Sequence, residues 1–393
     1  MERKRKALVI ADLVLAVDDE DEQIKKRKWS KQWLLERRKY SHMNLLHELQ
    51  SNEPADFKNY LRMENHTFHE LLDLVRPFIE KQNTIMRESI SAEERLVATL
   101  RFLATGRSYE DLKFSCAISA QALGKIIPET CWAIYEVLKQ KYLKIPKTEI
   151  EWKQMAKDFK MLWDFDNCLG AIDGKHVLIT KPPLNSGSYY FNYKGTFSVV
   201  LLAVVNANLE FIYVHCGTNG RVSDAGVLKE TDLYRSLENN ELKIPPPQSP
   251  PKVGYKLPFV FIGDEAFPLM ENLMKPYGKH IAGHDEYIFN YRLSRARRVV
   301  ENAFGILVTR FRVFLLPLNI SVENVDAVVM ASCVLHNFLR KKSRQWRQIG
   351  EMVALQRSLS YTPQDAKLVR DKYKEYFNNE GKVSFQENMI HYR

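Results

Sequence analysis

The sequence predicts an α/β protein with an all-α N-terminal region. Before about residue 150 the apolar residues recur every three or four positions, which is the spacing of amphipathic helices. From Phe165 onward they form short runs rich in Val, Ile and Phe, as in buried strands. We expect helices after these runs, at about 223–238, 293–310 and 325–341. This alternation of strands and helices favours a sheet flanked by helices.

Four strands are expected in the second part of the chain. They are Cys168–Ile179, Phe197–Val205, Glu210–His215 and Leu257–Asp264. Only a short Asn-Ala-Asn turn separates the second run from the third, so these two should pair as a hairpin. The fourth run ends in a carboxylate, and open sheets place ligands outside such strand ends.

The helical region carries recognisable helix boundaries. Ser91 and Glu94 have the spacing of a capping box, and Ser108 is placed to cap a second, shorter helix. Pro77 and Pro128 are expected to end their helices, because proline lacks the N–H group that a helix interior needs.

Residues 108–127 have the outline of a helix-turn-helix, with a short helix, a tight turn and a second helix from Ala120. In that arrangement the side chains of Ser119, Gln121 and Lys125 would contact DNA. The alternative is an ordinary three-helix unit that binds no DNA. The sequence leaves both interpretations open.

The charge of the chain permits a polyanionic partner such as DNA. There are 58 Lys and Arg residues against 48 Asp and Glu residues, a net charge of +10. Residues 24–41 interleave basic side chains with Trp29 and Trp33, which suits phosphate contact, and Lys25–Lys28 could serve in nuclear import. The alternative is a solvated arm whose tryptophans dock on the next domain. Because no apolar run reaches about 18 residues, no membrane span is expected.

Asp173 interrupts the first predicted strand with a charge. A buried carboxylate is costly unless it is paired or coordinates a metal, so Asp173 is a candidate metal ligand. The alternative is that Asp173 and Gly174 form a two-residue turn between two strands.

Glu301 is placed where it could join Asp173 and Asp264. It falls on the flank of a predicted buried helix face, and Arg297 lies one turn before it. The alternative is a simple ion pair between Arg297 and Glu301. The residues of the buried face are Ala296, Val300, Ala303, Phe304, Leu307 and Phe311.

Two aspartates and a glutamate that converge at a sheet end form a ligand set for Mg²⁺ or Mn²⁺. Two such ions can activate a water or a 3′-hydroxyl and stabilise the leaving oxygen at a phosphodiester. The sequence contains no P-loop and no nucleophile elbow that would favour another chemistry.

Five motifs in this order resemble the PIF/Harbinger-type DDE transposases and the nucleases derived from Harbinger transposases. The resemblance covers about residues 25–340. It implies an RNase H-like, mixed-sheet core in which Asp173, Asp264 and Glu301 are the catalytic metal ligands. The motifs are Ala171-Ile172-Asp173-Gly174-Lys175-His176, Gly220-Arg221-Val222-Ser223-Asp224, Gly263-Asp264-Glu265-Ala266-Phe267, Arg297-Arg298-Val299-Val300-Glu301-Asn302-Ala303-Phe304-Gly305 and Val334-Leu335-His336-Asn337.

Asp224 matches a further aspartate of the family, and the resemblance suggests a metal-related role for it. The alternative is that Asp224 caps the helix that follows, where Ser223 could do the same. His336 is expected to be a packed core histidine.

Basic residues near the three acids are candidates for DNA contact. Lys175, His176, Lys194 and Arg297 would position DNA or the carboxylates. A cluster around Glu301 would contact phosphates if it lines the rim of the site, and otherwise it is a solvated helix face. The cluster consists of Arg292, Arg295, Arg297, Arg298, Arg310 and Arg312.

The predicted domains are a basic arm (1–62), a helix-turn-helix-like domain (63–150), an RNase H-like endonuclease domain (160–341) and a polar, partly helical tail (342–393). The predicted function is a nuclear, metal-dependent DNA endonuclease or transposase that nicks DNA or transfers strands. The alternative is a domesticated, catalytically silent DNA- or chromatin-binding protein. A phosphatase-like metal hydrolase would not explain the basic arm. Expected partners are DNA, such as transposon ends, and a Myb-like DNA-binding protein that the family implies; a homo-oligomer is left open.

Overall fold

The computed structural model of the protein describes residues 31–85, 88–182, 188–250, 254–278, 283–342 and 364–390. The basic run Lys25–Lys28 and Trp29 lie outside these residues. Within the described ranges, no helix combines the length and the apolar character that crossing a membrane would require.

The described part of the N-terminal region is helical, as predicted. Ser91 and Glu94 form the expected capping box, in which Ser91 Oγ accepts from the Glu94 N–H (3.2 Å) and Glu94 accepts from the Ser91 N–H (2.8 Å). Ser108 caps its helix by accepting from the Asp111 N–H at 3.2 Å. The helices are α1 Gln32–Leu35, α2 Arg37–Tyr40, α3 Met43–Asn52, α4 Pro54–Leu61, α5 Asn65–Ile79, α6 Ala92–Thr105, α7 Tyr109–Cys116, α8 Ala120–Tyr142 and α9 Glu149–Trp163.

The two prolines do not end their helices, so that prediction was wrong. Pro77 lies inside α5, and α8 continues through Pro128 to Tyr142. Cys131, Ile134 and Leu138 follow Pro128 and are buried. Their packing outweighs the cost of a proline in a helix interior, which is about 3 kcal/mol.

Within the described residues the sheet has five strands and is mixed, as expected for an RNase H-like core. The strand order is β3-β2-β1-β4-β5; β1, β2 and β3 are antiparallel neighbours, whereas β4 is parallel to both β1 and β5. All four predicted strands are present, and β5 is too short to give a sequence pattern. The strands are β1 Cys168–Leu178, β2 Ser198–Val205, β3 Phe211–Asn219, β4 Val260–Ile262 and β5 Leu273–Met274.

Helices cover both faces of the sheet. The residues predicted at 223–238 form two helices, α10 Asp224–Lys229 and α11 Asp232–Glu238, because Thr231 starts a new helix by capping the Tyr234 N–H. Helices α9, α10 and α11 pack on one face. On the other face lie α12 His284–Arg310 and α13 Val325–Lys342. The predicted buried face of α12 is confirmed, since all six of its residues are at most 6% exposed.

The helical region and the sheet share one hydrophobic core. Tyr142, the last residue of α8, packs edge-to-face on Phe338 of α13 with a centroid distance of 5.2 Å. The buried Asn337 donates to the carbonyls of Tyr142 (2.6 Å) and Phe211 (2.7 Å) and accepts from the Phe211 N–H (2.9 Å). It therefore joins α8, α13 and β3. The predicted domain limits at 63–150 and 160–341 stay a prediction.

His336 is the packed core histidine that the sequence predicted. Its side chain is fully buried, and Nε2 lies 2.8 Å from the Leu209 carbonyl.

Two further helices, α14 Gln364–Asn378 and α15 Gln386–Ile390, follow in the predicted polar tail. The buried Phe377 of α14 packs against Phe289 and Arg292 of α12. Tyr373 and Tyr376 of the same helix are also buried and contact Phe165 and Asp166. The tail is polar overall, but it carries one apolar stripe at helical spacing.

Arg292 and Arg310 do not line a solvent-facing rim, so this part of the arginine prediction was wrong. Arg292 is fully buried and donates to the Gly381 carbonyl (2.8 Å), to Gln386 Oε1 (3.0 Å) and to the Asp164 carbonyl. Arg310 is 8% exposed. Helix α12 begins at His284 and not at Leu293, so Arg292 lies in its interior, one turn before Ala296 on the buried face.

Candidate metal centre

The centre lies where β1 extends past the end of β4. The two strands pair only as far as Ala171 and Ile262, and β1 then continues to Leu178 beside β2 alone. Asp173 lies two residues beyond the last pair on β1, and Asp264 lies two residues beyond it on β4. Parallel pairing therefore brings these two carboxylates together, as the sequence predicted. Asp173 pairs with Ala203 inside a continuous strand, which excludes the alternative of a two-residue turn.

Asp224 supplies a third carboxylate to the centre. It is the first residue of α10, but Ser223 caps that helix by accepting from the Gly226 N–H at 3.3 Å. Asp224 is therefore not needed as the cap. One carboxylate oxygen each from Asp173, Asp224 and Asp264 lies within 4.8 Å of the other two, and all three residues are half-buried.

Gly174 makes room for Asp224. A Cβ atom at Gly174 would lie 2.5 Å from Cγ of Asp224 and would overlap its carboxylate. Asp224 can therefore keep this position against β1 only because residue 174 is a glycine. The sequence showed Gly174 only as part of a motif. Its contact with Asp224 could not be read from the sequence, because the two residues are 50 positions apart.

The carboxylates raise one another's pKa. The pKa of Asp173 is raised to about 7, chiefly by burial and also by the nearby Asp264, Asp224 and Glu301, whereas Arg297 opposes the shift. Burial and Asp264 also raise the pKa of Asp224 to about 6, and Lys194 opposes that shift. The site therefore concentrates negative charge that a bound cation would offset.

Glu301 lies beside this group and is held by an arginine. Its Oε1 accepts from Arg297 Nη2 at 3.3 Å, which is the ion pair that the sequence offered as the alternative. Burial raises the pKa of Glu301, and Asp264 adds to the shift against Arg297 and Arg298. Among the described residues, the group with mutual oxygen distances within 4.8 Å consists of the three aspartates, without Glu301.

Basic side chains surround the carboxylates. Lys175 is half-buried, with Nζ 6.0 Å from the ring centroid of Phe304, and burial lowers its pKa although Asp173 opposes the shift. Lys194 is exposed and opposes the rise in the pKa of Asp224. Arg298 is half-buried and opposes the rise in the pKa of Glu301. These four acids therefore have the predicted basic neighbours.

The residues of the helix-turn-helix-like segment lie at the start of α8. Ser119 caps this helix by accepting from the Ala122 N–H at 3.3 Å, whereas Gln121 and Lys125 are exposed. Trp33 stacks on Phe114 of α7 with centroids 5.7 Å apart. The described end of the basic arm therefore docks on the helical region, which was the alternative interpretation for its tryptophans.

The donor set fits a hard divalent cation. All three converging groups are carboxylates, and Mg²⁺ and Mn²⁺ prefer oxygen ligands. Asp264 is also held in place, because its Oδ1 accepts from the Ala266 N–H at 2.8 Å. Asp173, Asp224 and Asp264 are the residues that would hold such an ion.

Replacing Gly174 with alanine is expected to weaken Mn²⁺ binding by about 10- to 100-fold, because the new methyl group displaces Asp224 from the centre. Mn²⁺ titration followed by electron paramagnetic resonance measures this. Gly305→Ala is the matched control, since a Cβ there meets no atom within 4 Å. Equal affinities for the two variants would contradict this role of Gly174.

Comparisons with known proteins agree with this geometry. A sequence model of the family described as "DDE superfamily endonuclease" matches residues 172–337. The chain is 22% identical to "Protein ALP1-like" of Arabidopsis thaliana over 81% of this chain and 78% of that protein. It is 26% identical to "Putative nuclease HARBI1" of Homo sapiens over 63% of this chain and 67% of that protein. No solved structure is a significant match.

Proposed function

Because residues 172–337 match the model of the DDE superfamily endonuclease family, we propose that the protein is a metal-dependent DNA endonuclease. The observation that carries the proposal is the convergence of Asp173, Asp224 and Asp264 at one end of a mixed sheet. Burial, together with the neighbouring carboxylates, raises the pKa of Asp173 to about 7, and a divalent cation would offset this concentrated negative charge.

Asp173, Asp224 and Asp264 would hold the cation in the proposed enzyme. A bound Mg²⁺ or Mn²⁺ would supply Lewis acidity and lower the pKa of the attacking water. Glu301 is proposed as the fourth acid of the site and, with Asp173 and Asp264, as catalytic. Its ion pair with Arg297 holds the carboxylate beside the aspartates.

The basic residues would bind the DNA backbone. Lys175 and Arg297 lie among the carboxylates, whereas Lys194 and Arg298 extend the positive charge beyond them. Binding through such contacts should weaken steeply as salt is added. We propose that Ser119, Gln121 and Lys125 contact DNA farther from the site of cleavage, although Ser119 also caps α8.

The proposal has four further parts: nuclear localisation, strand transfer by a freed 3′-hydroxyl, action on transposon ends and a Myb-like partner. They rest on the resemblance to Harbinger-type transposases and, for localisation, on the run Lys25–Lys28. The second candidate is a protein that binds DNA or chromatin without cutting. The ion pair between Arg297 and Glu301 favours this second candidate, because the Glu301 carboxylate is then bound to an arginine and not to a metal ion.

A nicking experiment distinguishes the two candidates. The purified chain is incubated with supercoiled DNA in Mg²⁺, in Mn²⁺ or in chelator, and DNA binding is measured in parallel. The enzyme should produce nicked circles with either metal and none in chelator. If the protein binds DNA in every condition and never nicks it, the non-cutting candidate replaces the enzyme.

A further inference from the structure

A group of exposed aromatic side chains lies in the connection between β1 and β2. Tyr189, Phe191 and Tyr193 are 59%, 46% and 81% exposed, and Lys194 follows them directly. We call these four residues the aromatic turn. Three exposed rings within five residues form a concentrated apolar surface, whereas single exposed apolar residues are ordinary.

The aromatic turn is held in shape by a buried asparagine. Asn192 is 3% exposed, and its Nδ2 donates to Ser198 Oγ (2.8 Å) and Thr196 Oγ1 (2.9 Å). Its Oδ1 accepts from the backbone N–H groups of Lys194 (2.9 Å) and Thr196 (3.2 Å). The exposure of Tyr193 is therefore imposed by a hydrogen-bonded turn and does not reflect a loose loop.

The aromatic turn lies close to the carboxylates. The ring of Tyr193 is 5.6 Å from the ring of His176, centroid to centroid, and His176 Nδ1 is 2.9 Å from Ser198 Oγ. Residues two apart on a strand share a face and are separated by about 6.6 Å, so His176 is next to Gly174 and Asp224. Tyr193 is thus on the order of 12 Å from the centre, a few base steps along a DNA strand.

This combination suits nucleic acid whose bases are not stacked. An exposed ring binds a base through its face, and a neighbouring lysine binds the adjoining phosphate. Within an intact duplex both faces of each base are already covered by neighbouring bases. A surface that offers rings beside a cleavage site therefore selects a strand with an unpaired, unstacked base.

We propose that the aromatic turn is a base-stacking element in which Tyr193 takes up an unpaired base of the DNA strand next to the scissile phosphate. The proposal rests on the DNA endonuclease function and adds a substrate preference: distorted or partly single-stranded DNA is bound more tightly than intact duplex. Lys194 contributes the phosphate contact between this base and the carboxylates.

The test measures binding in chelator, where no cleavage takes place. The probe is a duplex interrupted by a short single-stranded gap that carries 2-aminopurine, whose fluorescence falls when it stacks on an aromatic ring. Tyr193→Ala should weaken binding of the gapped probe by about 5- to 30-fold and abolish the quenching. Its affinity for intact duplex should change less than about 2-fold, and Tyr193→Trp should restore both gapped-probe signals.

Tyr287→Ala is the matched control, because Tyr287 is 50% exposed in the first turn of α12 beside Asp285 and Glu286. It should bind both probes as the wild type does. Equal weakening of gapped and intact DNA by Tyr193→Ala, or no weakening of either, would overturn base stacking. Failure of the endonuclease function would look different, since the wild type would then bind DNA without nicking it in Mg²⁺.

Discussion

Replacing Asp264 with asparagine is expected to reduce the rate of DNA nicking by about 10³-fold, or about 4 kcal/mol of transition-state stabilisation. The change keeps the size of the side chain and removes one of the three charges that lie within 4.8 Å of one another. Asparagine can still accept from the Ala266 N–H at Oδ1, so the loop after β4 should keep its shape. The rate of conversion of supercoiled to nicked DNA in Mg²⁺ measures the effect.

Asp232→Asn is the control for Asp264→Asn. Its side chain is 85% exposed on α11 and pairs with Arg235, so the same change of charge is made away from the centre. This variant should nick at the wild-type rate. A variant Asp264→Asn that nicks within about 3-fold of the wild type would remove Asp264 from the proposed machinery.

Replacing Arg292 with methionine is expected to lower the free energy of unfolding by about 3–5 kcal/mol. The fully buried guanidinium holds Gly381 and Gln386 of the C-terminal segment against the Asp164 carbonyl. Its face also lies 4.3 Å from the ring centroid of Phe377. Removing it leaves three acceptors without this donor in the core, and each such loss is costly. Urea unfolding gives the stability, and hydrogen exchange locates the loss.

Hydrogen exchange should rise first in α14 and α15, because Arg292 ties the segment around them to α12. The control is Arg235→Met, whose guanidinium is 66% exposed and pairs with Asp232. An exposed pair contributes at most about 1 kcal/mol, so this variant should be close to the wild type. A loss of less than about 1 kcal/mol in Arg292→Met would show that packing alone holds the C-terminal helices.

Local pattern predicted much of this fold. The strands around Asp173 and Asp264 follow from β-branched runs, and the buried face of α12 follows from spacing alone. The approach of Asp264 to Asp173 follows from parallel pairing. Extending the stripe from Ala296 back by one turn would also have placed Arg292 on the buried face, so a signal for its burial was present in the sequence.

Other features depend on contacts between distant parts of the chain. The fit of Asp224 against Gly174 requires α10 to lie over β1, which no local pattern gives. The continuation of α8 past Pro128 depends on packing against α13, and the role of Asn337 depends on two carbonyls, those of Tyr142 and Phe211, that lie far away in sequence. For Glu301 the sequence offered both a metal ligand and an ion pair with Arg297, and the local pattern did not decide between them.

The shared core of α8 and α13 also fixes the distance between the start of α8 and the carboxylates. Asn337 and Phe338 attach the end of α8 to the helix that backs the sheet, so the start of α8 cannot swing independently of the carboxylates. If Ser119, Gln121 and Lys125 bind DNA as proposed, the protein would set the distance between the bound position and the cut. It would cut at a constant distance from the bound position, so inserting or deleting base pairs between the two points would move the cut to a different sequence position at the same distance.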